Sequence, residues 1–297
     1  DSSAIVALMA KHSKSPIKTF SIGFEEEKYN ELKYAKIIAE KFKTNHTEFI
    51  VKPDAINLLP MLVRQYEEPF ADSSALPTYY VAKLTREHVT VALNGDGGDE
   101  NFAGYTRYAA FQVSTLLDHF NWLNRLIGIP VTRLCARYIK NTFFDRLHRF
   151  SKSLSDDYRR RYLSYTAYFT NEQKSALYTD AFKNKVSQDD TYDIIASRFT
   201  ESGSKKRTEQ AVYADFATYL PEDLMAKVDI ATMAVSLEGR SPFLDHELLE
   251  LSAQIPFSLK LKGLNNKKYI LKEAFRGILP DEIMFRPKMG FGVPIDA

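Results

Sequence analysis

The stretch that decides the fold is residues 89–100, VTVALNGDGGDE, in which an apolar, β-rich run leads into a loop of glycines and carboxylates. The loop, residues 94–100, holds three glycines and three carboxylates within seven residues. In open α/β sheets, ligands bind beyond the carboxyl ends of the strands, which is where this loop is predicted to lie. Glycine lets a backbone approach a phosphate closely, and carboxylates hold Mg²⁺ against it. The pattern indicates a phosphate and metal site, with an exposed Gly/Asp turn as the plainer interpretation.

The chain before this loop alternates between helical and extended patterns. The alternation consists of helix 4–12, strand 17–23, helix 30–42, strand 47–51, a helix ending near residue 65, helix 76–88 and strand 89–93. Strands that are separated by helices are typical of parallel sheets, because a parallel connection needs a long crossover. The first part of the chain is therefore predicted to be an α/β structure with a parallel sheet.

The pattern changes near residue 110, after which amphipathic helical stretches run to the end of the chain. These stretches cover residues 111–127, 131–140, 156–169 and 209–237. We expect an α/β part over residues 1–110 and a mainly helical continuation over residues 111–297.

Composition limits the classes of protein to consider. The 297 residues are 44% apolar and carry a formal net charge of +2, so the balance demands neither a nucleic-acid nor a membrane partner. Cys135 is the single cysteine, which leaves no disulfide framework or thiolate metal site. No apolar run approaches the roughly 20 residues that span a bilayer. We expect a cytoplasmic protein with no nucleic-acid and no membrane partner.

The first residues, Asp1, Ser2 and Ser3, stand immediately before a helical pattern. Asp and Ser are common helix caps, so a purely structural role is one interpretation. The other is a phosphate site, because hydroxyls and free backbone N–H groups meet at the start of a helix.

A third signal combines residues 236–245, SLEGRSPFLD, with residues 267–272, KKYILK. Considered alone, Glu238 and Arg240 pair to shape a bend, and Lys268 is one more solvated lysine.

Together these residues resemble the asparagine synthetase branch of the N-type ATP pyrophosphatases. That family has a pyrophosphate loop S-G-G-x-D-S, of which Asp1 and Ser2 match the last pair, and a motif S-G-[E/D]-G-[S/G]-D-E, which residues 95–100 match with Asn94 in place of the serine. The remaining matches are residues 20–24 (FSIGF), 67–72 (EEPFAD), 236–245, 268–272 and 286–294 (RPKMGFGVP).

The resemblance implies an adenine nucleotide alpha hydrolase-like fold, with a parallel sheet covered by helices on both faces and followed by a largely helical part. Full-length members begin with a glutaminase domain, and this sequence contains no counterpart of it. Against the family pattern, the first strand and the first four residues of the pyrophosphate loop are also expected to be missing from this sequence. The chain therefore resembles a synthetase domain cut at both ends, which is expected to bind ATP poorly and to be inactive alone.

The resemblance also implies a reaction. The side-chain carboxylate of aspartate attacks the α-phosphorus of ATP, and ammonia, supplied from glutamine, then displaces AMP from the β-aspartyl adenylate. Asp1 and Asp99 are expected to bind Mg²⁺, and Asp96, Lys268 and Asp229 to be catalytic. The residues expected to bind ATP are Asp1, Ser2, Ser3, Ile22, Gly23, Asn94, Gly95 and Lys268. A homodimer is a further expectation.

Two other functions remain open at this level. Amidotransferases of surface polysaccharide biosynthesis carry the same motifs but amidate another carboxylate. A nucleic-acid binder is the third class, suggested by the basic residues Arg133, Arg137, Lys140, Arg146, Arg149, Lys152 and Arg159 to Arg161.

Overall fold

The computed structural model describes residues 1–24, 30–51, 55–139, 141–186 and 190–286. The chain divides into two compact units. Unit 1 consists of Asp1–Gly104, Thr218–Lys260 and Lys268–Ala297, and unit 2 of Tyr105–Ala217 and Leu261–Lys267. The C-terminal motif 287–294 lies outside the described residues.

Unit 1 contains the predicted alternation of helices and strands. Its first segment holds α1 (Ser2–His12), β1 (Lys18–Gly23), α2 (Leu32–Phe42), β2 (Asn45–Ile50), α3 (Ala55–Tyr66), α4 (Ala75–Arg86), β3 (Val91–Leu93) and α5 (Gly98–Asn101). Its later segments hold α15 (Ala226–Met233), β4 (Glu238–Arg240), α16 (His246–Gln254), α17 (Phe257–Lys260), α18 (Tyr269–Ala274) and α19 (Asp281–Met284).

The strands of unit 1 form two parallel pairs. β1 pairs with β2 from Lys18↔Asn45 to Gly23↔Ile50, and β3 pairs with β4 from Val91↔Glu238 to Leu93↔Arg240. The described part of the chain is thus a mixed α/β structure that is mostly helical with a small amount of parallel sheet. The two pairs are separate two-stranded sheets there, rather than one continuous sheet.

Strand β4 was not predicted, because the segment EGR lacks the β-branched and aromatic residues that favour strands. Tertiary pairing overrides this weak preference. The N–H of Glu238 donates to the carbonyl of Thr90 at 2.9 Å, and the N–H of Asn94 donates to the carbonyl of Arg240 at 2.9 Å. The side chains of Glu238 and Arg240 also pair at 2.6 Å, as the plainer interpretation expected. This pairing joins the glycine-rich loop to the SLEGRSPFLD motif.

One hydrophobic core cluster of unit 1 surrounds α1. Its buried members are Ala4, Ile5, Ala7, Ile38, Phe102, Phe243, Phe275, Leu279 and Met284. Buried apolar surface stabilises the fold by roughly 25 cal/mol per Å². The core therefore anchors the start of α1 and the residues that flank both motif loops.

Unit 2 is helical in its described residues, except for one hairpin. It holds α6 (Thr106–Leu116), α7 (Asn121–Leu123), α8 (Ile129–Tyr138), α9 (Thr142–Ser153), α10 (Tyr158–Thr166), α11 (Asn171–Leu177), α12 (Asp180–Lys183), α13 (Thr191–Glu201), α14 (Arg207–Ala217), β5 (Leu261–Lys262) and β6 (Asn266–Lys267). Strands β5 and β6 are antiparallel.

Two of the predicted helices are interrupted. The stretch 209–237 is divided by a π-helical turn, Leu220–Met225, which contains Pro221. Proline lacks the N–H that an α-helix needs at that position, so the local hydrogen-bond ladder must change. The stretch 111–127 likewise passes through a 3₁₀ turn, Leu117–Phe120, and a π turn, Asn124–Gly128. Within the described residues, no helix has the length and apolar character needed to cross a membrane.

Candidate active site

Three charged residues that are far apart in sequence meet in unit 1. The ammonium of Lys268 lies 2.6 Å from Oδ1 of Asp1 and 2.7 Å from Oδ1 of Asp99. All three side chains are less than one-quarter exposed. The structure therefore brings the two predicted metal ligands to one lysine, which is itself a predicted site residue.

Local backbone structure sets the position of each member of this trio. Asp1 precedes the first turn of α1, but its side chain makes no capping hydrogen bond and turns to Lys268 instead. Asp99 lies in α5, which begins within the glycine-rich loop. Lys268 precedes α18 in a left-handed conformation, with φ of 54°. Such a backbone conformation costs a lysine about 1–2 kcal/mol, so the surrounding structure must hold it in place.

The glycines of the loop allow it to pack against the start of α1. A Cβ atom at Gly95 would lie 2.6 Å from the backbone nitrogen of Ser2, and one at Gly98 would lie 2.7 Å from Oδ1 of Asp1. Gly97 has φ of 88°, a left-handed backbone conformation that residues with a Cβ atom rarely adopt. The loop thus contributes bare backbone beside Asp1 and Ser2, as a surface for phosphate requires.

Gly104 is a site residue that the sequence reasoning missed. A Cβ atom there would overlap both Oδ1 of Asp99 and Cε of Lys268. Its N–H donates to the carbonyl of Asp99 at 2.8 Å. No motif drew attention to Gly104, because its contribution is the space that it leaves for two other side chains.

The other predicted nucleotide-binding residues occupy strand ends and the first turn of α1. Ile22 and Gly23 are buried at the carboxyl end of β1. Ser3 is half-buried in α1. The side chain of Asn94 shapes the loop, because its Oδ1 accepts hydrogen bonds from the N–H of Asp96 and from the hydroxyl of Ser241. Their contacts with a nucleotide stay predictions.

A second buried ion pair lies within the same unit. The ammonium of Lys227, on α15, donates to Oδ2 of Asp72 at 2.7 Å, and the Tyr66 hydroxyl donates to the Lys227 carbonyl at 3.1 Å. Burial alone would raise the pKa of Asp72, but the hydrogen bond and charge of Lys227, helped by Ser74, lower it overall. Lysines are rarely buried without a carboxylate partner, and Asp72 supplies one.

Asp96 lies in the electrostatic field of this pair. Burial raises the pKa of Asp96, the nearby Lys227 ammonium opposes that rise, and Asp99 adds to it. The pKa of Asp223 is also raised by burial and by Asp72, again against Lys227. Burial is therefore the main cause of the raised pKa of Asp96, and Lys227 limits that rise.

The structure places Asp229 and Lys227 differently, although both are on α15. The Asp229 side chain is exposed, whereas Lys227 is buried. Residues two positions apart on a helix point in different directions, so a role for one of them does not transfer to the other. The sequence analysis predicted Asp229 as a site residue and did not identify Lys227. The acidic segment EEPFAD, which ends in Asp72, is the sequence feature that could have pointed to a buried basic partner.

Whether Mg²⁺ fits this site depends on the donor set. Among the residues that the structure describes, no group of three or more His, Cys, Asp and Glu side chains is arranged to hold a metal ion. Mg²⁺ in nucleotide sites needs fewer, because one or two carboxylates suffice when phosphates and water supply the remaining oxygens. Asp1 and Asp99 form such a pair, and both approach the ammonium of Lys268. The residues therefore fit a phosphate-dependent metal site.

The pKa of the Lys268 ammonium is lowered overall, because burial outweighs the opposing effect of the nearby carboxylates. Burial lowers the pKa of its ammonium, while the charge and hydrogen bond of Asp99, with a smaller effect of Glu100, raise it. One ammonium faces two carboxylates in this trio, which leaves an excess of negative charge. Such an excess favours binding of a further cation.

Comparison with known proteins agrees with the motifs along the whole chain. The asparagine synthase family model matches residues 1–297. Asparagine synthetase [glutamine-hydrolyzing] 1 of Bacillus subtilis strain 168 is 34% identical over 296 residues, which cover 99% of this chain and 45% of that protein. A Mycobacterium bovis protein is 33% identical over 301 residues, which cover 99% of this chain and 44% of that protein. Its name is a provisional form of asparagine synthetase [glutamine-hydrolyzing].

More distant relatives carry other names. Amidase chyE of Penicillium rubens is 26% identical over 233 residues, which cover 73% of this chain and 34% of that protein. The chain spans less than half the length of the curated relatives that it matches. Because the family match covers every motif, from Asp1 to the C-terminal residues, the chain belongs to the asparagine synthase family.

Proposed function

We propose that this chain is the synthetase part of an enzyme that makes asparagine from aspartate, ATP and ammonia through a β-aspartyl-AMP intermediate, with glutamine as the source of ammonia. The observation that carries the proposal is the meeting of Asp1, Asp99 and Lys268 beside the glycine-rich loop. A family match over the full chain supports it.

The first task of such a site is to bring two anions together, the substrate carboxylate and the triphosphate. The backbone around Gly95 and Gly98, with the hydroxyls of Ser2 and Ser3, is proposed to cradle the pyrophosphate. Ile22 and Gly23, at the end of β1, are proposed to border the adenine. This use of strand ends is the rule for nucleotide sites in open α/β sheets.

Charge neutralisation follows from the same residues. Asp1 and Asp99 would hold Mg²⁺, which when bound neutralises phosphate charge and favours departure of pyrophosphate. Lys268 is proposed to pair with the phosphate oxygens during adenylation. A fixed cation of this kind typically accelerates the step by about 10²–10³-fold.

The second step needs a group that accepts a proton from the incoming ammonia. We propose Asp96 for this role, because its carboxylate has a raised pKa and lies in the loop next to Asp99. Asp229 is exposed on α15, and we propose that it contacts the acceptor substrate from the surface of the site.

The proposal extends to the organisation of the protein. Residues 1–110 are proposed to be the nucleotide-binding core of an adenine nucleotide alpha hydrolase-like fold, and residues 111–297 its helical continuation. We also propose that the protein is a cytoplasmic homodimer and that its substrates are aspartate and ammonia derived from glutamine.

ATP–pyrophosphate exchange in the full-length protein tests the function. We expect exchange that depends on aspartate and on Mg²⁺, and that is lost in the Lys268→Met variant. Exchange with sugar acids but not with aspartate would instead show an amidotransferase of surface polysaccharides. The amidase names among the relatives make this acceptor comparison necessary. Absence of exchange with every carboxylate would overturn the proposal.

A further inference from the structure

Unit 2 carries an exposed row of large apolar side chains along one helical run. The run comprises α7, the π turn and α8, residues 121–138. Its apolar members that are more than half exposed, called here the apolar ridge, are Trp122, Leu126, Ile127, Val131, Leu134 and Tyr138. Exposure is high, from 52% at Ile127 and Val131 to 72% at Tyr138. Side chains that recur every three or four residues share one side of a helix, so the ridge is a single surface.

The opposite side of the same run carries small and polar residues, which pack on α9. The amide of Asn124 donates to the carbonyl of Ser151 at 2.8 Å, and the hydroxyl of Ser151 donates to Oδ1 of Asn124 at 2.6 Å. The hydroxyl of Thr132 lies 3.2 Å from Nδ1 of His148. Gly128 leaves no room for a Cβ atom beside Asn124.

This arrangement of apolar and polar side chains is the reverse of the one found in helices on the surface of soluble proteins. Such helices turn their apolar stripe toward the core and their polar residues toward solvent. Here the hydrogen-bonding residues face the protein, and Trp, Leu, Ile, Val and Tyr face outward. Large continuous apolar surfaces on soluble proteins mark contact sites.

The charged residues in the stretch of sequence that contains the ridge are almost all basic. Residues 120–153 hold one acidic residue, Asp145, and the basic residues Arg125, Arg133, Arg137, Lys140, Arg146, Arg149 and Lys152. Arg125, Arg133 and Arg137 are exposed on the same helical run as the ridge. The partner must therefore be anionic at its surface and apolar beneath it.

An anionic lipid bilayer fits both requirements. Arginines keep their charge at the headgroups while aromatic and aliphatic side chains enter the acyl boundary, as amphipathic helices at membrane surfaces do. A second copy of the chain would place two basic surfaces against each other, which is unfavourable. Single-stranded nucleic acid stacks on aromatic rings, and Leu126, Ile127, Val131 and Leu134 offer none.

We propose that the apolar ridge docks this protein on the surface of an anionic membrane, with Arg133 and Arg137 at the headgroups. The contact is peripheral, in agreement with the lack of a helix in the described parts that could span a bilayer. Composition had predicted no membrane partner, because a net charge of +2 for the whole chain hides the local excess. The inference does not depend on the proposed enzymatic function.

Co-sedimentation of the full-length protein with lipid vesicles tests the proposal. Binding is expected with vesicles of phosphatidylglycerol and phosphatidylcholine, and not with phosphatidylcholine alone. Trp122 is the single tryptophan of these 297 residues, so the difference in emission between the natural protein and Trp122→Phe reports its insertion. Its emission is expected to shift to shorter wavelength with anionic vesicles, and the shift is expected to disappear in Trp122→Phe.

Two variants separate the apolar and the charged contributions. Leu126→Ser/Leu134→Ser is expected to weaken vesicle binding by about tenfold or more. Arg133→Gln/Arg137→Gln is expected to weaken it by about fivefold per arginine, and added salt should do the same. The matched control is Leu177→Ser/Ile194→Ser, which removes two similarly exposed apolar side chains elsewhere in unit 2 and should bind like the natural protein.

Several results would overturn the proposal. They are equal binding to neutral and anionic vesicles, unchanged binding in both ridge variants, and no vesicle binding at low salt. A dimer that dissociates in Leu126→Ser/Leu134→Ser, without vesicle binding, would assign the ridge to a second copy instead. Circular dichroism of each variant, expected to match the natural protein, excludes loss of folding as the cause.

Discussion

Each unit contains a cluster of charged side chains with low exposure. The two clusters differ in how completely opposite charges and hydrogen bonds balance the carboxylates. In unit 2, Oδ2 of Asp215 accepts hydrogen bonds from the Arg107 guanidinium and from the hydroxyls of Tyr108 and Tyr162. The Asp215 side chain is 3% exposed. In unit 1, one ammonium, that of Lys268, faces the carboxylates of Asp1 and Asp99.

The difference separates a structural cluster from a site. Arg107 and Asp215 balance each other's charge, and the Asp215 carboxylate, which is 3% exposed, has little access to a ligand. Burial and Asp215 together raise the pKa of Tyr108 and of Tyr162, so both phenols stay protonated donors. The Asp1, Asp99 and Lys268 trio keeps a net negative charge and is partly open to solvent. Functional sites combine perturbed ionisable groups with access, and only the second cluster does so.

Removing the carboxylate of the structural cluster should have the largest effect on stability. Asp215→Ala removes the buried carboxylate that the Arg107 guanidinium and two buried hydroxyls share as an acceptor. We expect the free energy of unfolding to fall by about 3–5 kcal/mol, measured by urea denaturation. Asp180→Ala, at a 98% exposed aspartate, is the control and should change it by less than about 0.5 kcal/mol. A loss below about 1 kcal/mol in Asp215→Ala would break the comparison.

The corresponding change in the site should act on activity rather than on folding. Lys268→Met is expected to reduce ATP–pyrophosphate exchange by about 10²–10³-fold, because the phosphates lose a fixed cation. Its loss of unfolding free energy should be smaller than that of Asp215→Ala, since water reaches Asp1 and Asp99. Lys267→Met, at the preceding lysine, is the matched control. Equal losses of exchange in both variants would contradict the assignment.

The comparison also explains what the sequence could predict. The resemblance of their motifs to a known family predicted Asp1, Asp99 and Lys268 as site residues, and the fold brings them together. Helices and strands with a clear apolar period were also predicted near their observed positions, as for β1 and α2. Such features depend on neighbours in sequence, which periodicity and motifs describe well.

The features that were missed depend on contacts between distant segments. Strand β4 has no β-forming residues and exists through its pairing with β3. Lys227 is a site candidate because Asp72, far away in sequence, holds it, and Gly104 matters because two other side chains occupy its space. The apolar ridge was interpreted as part of ordinary helices, since periodicity does not tell which side faces solvent.

Filling the space at Gly104 should disturb the site without removing any charge. In Gly104→Ala, the new methyl group would overlap Asp99 and Lys268, so one of them must move. We expect exchange activity to fall by about 10–100-fold, because small displacements of catalytic groups are costly. Gly239→Ala is the control, as its Cβ atom would meet neighbours only at 3.7 Å or beyond. Unchanged exchange kinetics in Gly104→Ala would mean that Asp99 and Lys268 need not hold their observed positions.

The smallest expected effect is a shift of the pH profile through Lys227. Burial raises the pKa of Asp96 and Lys227 opposes the rise, so activity that needs the Asp96 carboxylate falls as pH decreases through a pKa above the ordinary aspartate value. Lys227→Met removes the opposing charge, which should move the acidic limb of the rate profile of asparagine formation to higher pH. Lys227→Arg keeps the charge and should keep the limb near its original position. A limb that stays fixed in Lys227→Met, or moves to lower pH, would show that Lys227 stabilises Asp72 alone and leaves Asp96 unaffected.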